Sequence, residues 1–221
     1  LLDESIAALP RVFSEGQRMI NGVLITFKLQ ISKVLMQLLL ICFLLFNILD
    51  YFPYLPAQAG VASVFTITIP NIFLVVWASA RRLTQESMRR QLLRFIIPVA
   101  LSITILVSMI FTYFDEGTGD PAYANLAVTY ALLLAGWLRV LFVLPPHRIW
   151  AGGTELRGDL RVYRVVLGSA LLLIGFLIFP FFQDSFKISL LASWANFFIV
   201  VLVSIAWAMI LRIIWRLGSR E

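Results

Sequence analysis

The sequence predicts an all-α polytopic membrane protein: a six-helix transmembrane bundle with both termini cytoplasmic. Three observations carry this reading. Hydrophobic residues make up 61% of the 221-residue chain and charged residues 14%, where a soluble domain carries about 25% charge. The apolar residues come in blocks of about 20, the length that crosses a bilayer core as a helix. Basic residues are confined to alternate connections between those blocks, which orients the bundle by the excess of Lys and Arg on the cytoplasmic side.

The blocks place helices at about 31–49, 57–79, 91–114, 122–144, 162–182 and 188–211. The first runs out of a polar opening and takes Lys33 and Gln37 into the apolar stretch. The second contains "TITIPNIF", where Pro70 lacks the N–H that would serve the carbonyl of Thr66, so a helix break is expected there. In lipid that carbonyl needs a cation, a water or a donor from another helix. Ser63, Thr66, Thr68 and Asn71 add side-chain oxygens at the same place. The third and fourth helices flank the acidic connection of Asp115, Glu116 and Asp120, read as a solvated turn. Gly168 and Gly175 give the fifth helix a small-residue face, read as packing. The sixth carries Asn196 beside Trp194 and ends among Arg212, Arg216 and Arg220.

The connections before helix one, between two and three, between four and five, and after six hold Arg11, Arg18, Arg81, Arg82, Arg89, Arg90, Arg148, Arg157 and their neighbours. The net charge of +6 is therefore a membrane-surface signal, with the lipid bilayer as partner and no nucleic acid. Cys42 is the only cysteine and His147 the only histidine. Neither can build a metal cluster within the chain, and His147 reads as a loop residue. Arg139 is expected to snorkel to the cytoplasmic surface. Tyr123, Asn125, Thr129 and Tyr130 are expected mainly to join helices.

The opening "LLDESIAALPRVFSEGQRMING" has the pattern of a domain's last strand and turn feeding a helix. Leu2, Asp3, Glu4, Val12, Glu15, Gly16 and Asn21 resemble the point in P-type ATPases where the phosphorylation domain passes through a stalk into the fifth membrane helix. Pro56, Gln58, Thr66 and Pro70 in "LPAQAGVASVFTITIPNIFL" resemble the start and middle of that family's sixth helix. The likeness covers about residues 1–80; beyond that only the number of helices agrees.

The resemblance implies that residues 1–20 are the tail of a cytoplasmic phosphorylation domain and stalk. Residues 21–221 would be transmembrane helices five to ten of a cation pump of the bacterial plasma membrane. The upstream ATPase domains and the first four membrane helices would be partners on the same polypeptide. The parent would use ATP and magnesium. These residues contain no DKTGT, TGE or TGDGxND motif, so the chain holds no catalytic residue and no cofactor of its own.

Carried across by the resemblance, the family's ion ligands fall at Val34 and Gln37 on the first helix and at Ser63, Thr66 and Ile67 on the second. Both carboxylates are missing, which departs from calcium, sodium and potassium sites. Ser63, Thr66 and Gln37 remain as candidate ligands for a transported cation, with Lys33 as counter-charge and Pro70 as the helix break. Lys33 has two readings. It either snorkels to headgroups or projects into the bundle toward the opened turn. Two other function classes stay open: a six-helix channel or half of a secondary transporter, and a membrane scaffold whose polar residues only join helices.

Overall fold

The computed structural model describes residues 2–80, 85–189, 191 and 193–217; side chains are described from residue 10, and not for 85–87. All regular structure among the described residues is helical. In chain order it comprises α1 (Leu2–Leu45), α2 (Pro56–Ser63), a π-helical turn (Val64–Thr68), α3 (Ile69–Val76), α4 (Gln85–Thr118), α5 (Pro121–Val143), α6 (Arg161–Leu177), α7 (Pro180–Phe186) and α8 (Trp194–Leu217). α2, the π turn and α3 form one continuous span, Pro56–Val76. Five spans are long and apolar enough to cross a membrane, or six if α6 and α7, bent by 98° at their junction, count as one. This is a multi-pass membrane architecture.

The predicted strand and turn at the opening are absent; residues 2–45 are one helix of 44 residues. At about 1.5 Å per residue it is roughly 66 Å long, twice the thickness of a bilayer core. Its middle is fixed to α3. The Arg18 guanidinium donates to the Val76 carbonyl, Asn21 Nδ2 donates to Ser79 O at 2.6 Å and Thr26 Oγ1 donates to Asn71 Oδ1 at 3.0 Å. Gly22 lets the two helices close, since a Cβ there would lie 3.0 Å from Val75 Cγ1. The expected Leu2, Asp3 and Glu4 match falls on side chains outside the described set, as do Arg81, Arg82 and Arg220.

α5 is the central helix. Ala124, Ala127, Val128, Ala131 and Ala135 are fully buried, and these mostly small side chains let α1, the second span, α4, α6 and α8 approach its backbone. By contrast α1 presents Val34, Leu38, Ile41 and Leu45 outward, at 60%, 56%, 47% and 76% exposure, the apolar surface expected toward lipid.

Two boundaries and one packing expectation in the last third of the chain differ from the sequence reading. The apolar run 162–182 is not one straight helix: α6 ends at Leu177, and Pro180 starts α7 in a new direction. Gln183 Nε2 caps the break by donating to Leu177 O at 2.6 Å. α8 is displaced toward the C-terminus, because Lys187 in the left-handed region (φ 53°) ends α7 and helix resumes at Trp194; Leu190 and Ala192 of the predicted span lie outside the described residues. The glycine face of α6 is open rather than packed, since a Cβ on Gly168 or Gly175 would meet nothing within 4 Å.

Two membrane prolines each leave a carbonyl without its helical donor, and a tryptophan from another helix serves both. Pro98 in α4 cannot bond Arg94 O, which accepts from Trp215 Nε1 of α8 at 3.0 Å. In the second span the π turn changes which carbonyl is orphaned. Ile69 N–H reaches back five residues to Val64 O, so in that register the nitrogen of Pro70 falls to Phe65 O rather than Thr66 O. Phe65 O accepts from Trp137 Nε1 of α5 at 3.2 Å. The break expected at Pro70 is present, but its free carbonyl is one residue earlier and a protein donor fills it.

Candidate functional site

The π turn faces α1 and α5 across a cavity of about 30 Å³ whose wall includes Lys33, Tyr54, Ser63, Thr66, Gly136 and Arg139. That volume accommodates about one water molecule. Each wall residue is positioned by a local feature. Gly136 brings α5 onto the turn: a Cβ there would lie 2.5 Å from Thr66 Cβ and 2.6 Å from its Oγ1. Thr66, 3% exposed, donates Oγ1–H to Ala62 O at 2.6 Å, and Ser63 donates to Ala59 O at 2.5 Å. Both hydroxyl protons are thus held by backbone carbonyls of the preceding turn, and the oxygens are left as acceptors.

Lys33 Nζ uses one of those acceptors, donating to Ser63 Oγ at 2.5 Å. Ser63 is the eighth residue of the 21-residue span Pro56–Val76, so the ammonium sits well inside the bundle and does not snorkel along α1 to its polar end. Helical rise counted back from Asp50 would put Lys33 near the membrane edge. The helix stops at Leu45, and residues 46–50 add turns rather than length.

Arg139 also departs from its expected role. It is 4% exposed and turns into the bundle, where Nη1 donates to Ser32 Oγ at 3.1 Å. Its Nε is buried and has no partner among the described residues. No carboxylate lines the cavity, and no group of three or more His, Cys, Asp or Glu able to hold a metal occurs among the described residues. Two basic side chains therefore converge without an acid between them. Like charges sharing so small a space repel each other.

The sequence-derived ligands divide between two places. Ser63 and Thr66 line the cavity, as does Ile67 at the position where the resemblance expects aspartate. Gln37 does not; it is half-buried on α1, within electrostatic reach of the Tyr54 hydroxyl. Val34 points outward. Pro70 is buried at the start of α3. Of the polar residues of α5 expected to join helices, Tyr123 reaches another helix and Tyr130 a connection, both away from the cavity, while Thr129 Oγ1 donates within α5 to Asn125 O and Asn125 Oδ1 has no partner among the described residues. Tyr123 OH accepts from Asn196 Nδ2 at 2.8 Å, and Tyr130 OH donates to Ser189 O at 2.9 Å. His147 lies in the connection from α5 to α6, against the Tyr163 ring.

Gly136 and Trp137 were not singled out from sequence, although they position the site. A glycine followed by an indole inside an alanine-rich helix was the available signal: one lets a neighbour in and the other carries a hydrogen-bond donor.

Comparison with protein-family models, curated proteins and solved structures finds no match to this chain.

Proposed function

We propose that this chain is the ion-translocating membrane module of an ATP-driven cation pump of the bacterial plasma membrane, with both termini cytoplasmic and Lys33 as a built-in counter-charge. The observation that carries the reading is the Lys33 ammonium on Ser63 Oγ at 2.5 Å, directly before a π turn that opens the second span. A half-buried lysine turned to a polar group at a helix break is costly in a membrane bundle and is characteristic of ion pathways. With Lys33 and Arg139 in place the cavity repels a cation, so this arrangement is a cation-released state. Cation uptake then requires Lys33 to withdraw from Ser63, which frees the Ser63 oxygen beside that of Thr66.

The length of α1 supports the second half of the proposal. A helix twice as long as the bilayer core is a rigid lever on which a cytoplasmic domain can pull the site. ATP and magnesium act in that upstream domain and not in these residues. A scaffold role is less consistent with two basic side chains held around one cavity, because polar glue between helices needs no net charge.

Two measurements test the reading. The reading frame upstream of Leu1 is expected to encode a TGDGxND hinge, and DKTGT several hundred residues earlier; a start codon a few residues upstream overturns it. In vesicles carrying the complete polypeptide, ATP-dependent cation flux is expected to fall at least tenfold in Lys33→Gln while protein yield is kept. ATP-independent flux would favour the channel or secondary transporter, and equal loss of yield and flux the scaffold.

A further inference from the structure

The proton donors around the cavity outnumber what the cavity wall can accept. Ser32 donates its hydroxyl proton to Leu29 O at 3.1 Å, so it only accepts from Arg139. The Ser63 and Thr66 hydroxyl protons are likewise committed to Ala59 O and Ala62 O. What remains at the cavity is cationic or donating: the other two N–H bonds of Lys33 and the buried Nε of Arg139, which has no partner among the described residues. A cation finds there only the Ser63 oxygen that Lys33 already uses and the Thr66 hydroxyl oxygen, with no carboxylate in the wall to offset the two basic side chains. A neutral water accepts from these donors but leaves the two positive charges facing each other. An anion accepts from all of them and reverses the sign of both charge interactions.

We propose that one halide-sized anion, of which chloride is the cellular example, binds between Lys33 and Arg139. The cavity volume of about 30 Å³ admits a monatomic anion. Ala62, Ile67 and Ala135 complete the wall and give the anion an apolar surround. The site stands on these contacts alone and does not rest on the pump reading.

Bromide is the probe. The purified chain in detergent is titrated with bromide in a gluconate buffer of constant ionic strength, gluconate being the bulky reference anion, and the thermal unfolding midpoint is followed. The midpoint is expected to rise saturably. Arg139→Gln and Lys33→Gln are each expected to weaken the apparent affinity at least tenfold. Should Arg139→Gln fail to fold, Lys33→Gln carries the comparison, since Lys33 is only half-buried. Crystals grown in bromide are expected to show anomalous density within hydrogen-bond distance of the Arg139 guanidinium. A bromide response that is linear and equal in the wild type and Lys33→Gln, or a cavity that holds only water, overturns the proposal. The titration uses no ATP and measures no transport, so its failure is separate from failure of the pump reading.

Discussion

Gly136 and Thr66 make the tightest contact at the site, and substitution there tests whether α5 and the π turn are packed as described. Gly136→Ala puts a methyl group 2.5–2.7 Å from the Cβ, Oγ1 and Cγ2 of Thr66. Overpacking of this kind costs about 1–3 kcal/mol. Thr66→Ala in the same chain removes the Oγ1 and Cγ2 clashes but leaves the Cβ contact, so it is expected to restore only part of the loss in a denaturant or thermal unfolding assay. Full restoration, or no loss at all in Gly136→Ala, would mean that the helices do not meet there. Tyr54, in the connection between α1 and α2, gives a second residue-level prediction. Burial pushes its phenol above the ordinary value of 10.0. The fold favours the neutral, protonated form, so this contribution to stability is fully present below the unfolded-chain pKa and is lost as pH rises through the folded one. Stability is therefore expected to decline above about pH 10. Tyr54→Phe is expected to keep neutral-pH stability and to flatten that decline, measured as the unfolding midpoint against pH.

At the scale of elements, the pairing of each membrane proline with a tryptophan makes a quantitative prediction. Trp137→Phe leaves Phe65 O buried without a donor, at a cost of about 1–3 kcal/mol. In a Pro70→Ala background residue 70 regains an N–H that can serve the same carbonyl, so the cost of Trp137→Phe is expected to shrink toward zero. The double-mutant cycle then shows a coupling of about 1 kcal/mol or more, and simple additivity would contradict the assigned hydrogen bond. Pro98 and Trp215 are expected to behave alike through Arg94 O. These pairs also mark where sequence reading stops. That Pro70 breaks the second span is legible from one residue, because a missing N–H needs no partner to be known. Which carbonyl it orphans depends on whether the turn closes in the four- or five-residue register, and that is decided by the approach of Gly136 and Trp137 from α5. Arg139 was misplaced for the same reason. Its distance from "PPHR" is visible in sequence, but Ser32 and the cavity that receive it belong to α1 and the second span. Hydropathy read α6 and α7 as one block because Ile178 and Phe179 are as apolar as any residue in the helix. The 98° bend comes from Pro180 and the Gln183 cap, which hydropathy does not weigh.

For the whole molecule, the open matter is the number of crossings, and contacts at one end of the bundle decide what to expect. Gln58 begins the second span, and its Nε2 donates to Lys187 O at 2.9 Å. Tyr130, in the first half of α5, donates to Ser189 O at 2.9 Å. Both bonds tie the segment after α7 to the end of the bundle where α1 stops and α5 starts. Arg161, at the start of α6, is at the other end, with its guanidinium over the Trp77 ring. α6 and α7 together therefore carry the chain from one end to the other despite the bend, and six crossings are expected. Single cysteines in a Cys42→Ala background, labelled in sealed vesicles with a membrane-impermeant maleimide, check this. Ser14→Cys and Arg148→Cys are expected to react from one side, the cytoplasmic one, and Glu116→Cys from the opposite side. Asp184→Cys is the deciding position. Reaction with Glu116→Cys means that the bent pair spans. Reaction with Arg148→Cys means that it re-enters, which would leave five crossings and put Leu217 on the side opposite Ser14. Six crossings instead return the end of α8 to the side on which α1 begins, so a maleimide that reaches Ser14→Cys is expected to reach Leu217→Cys with it.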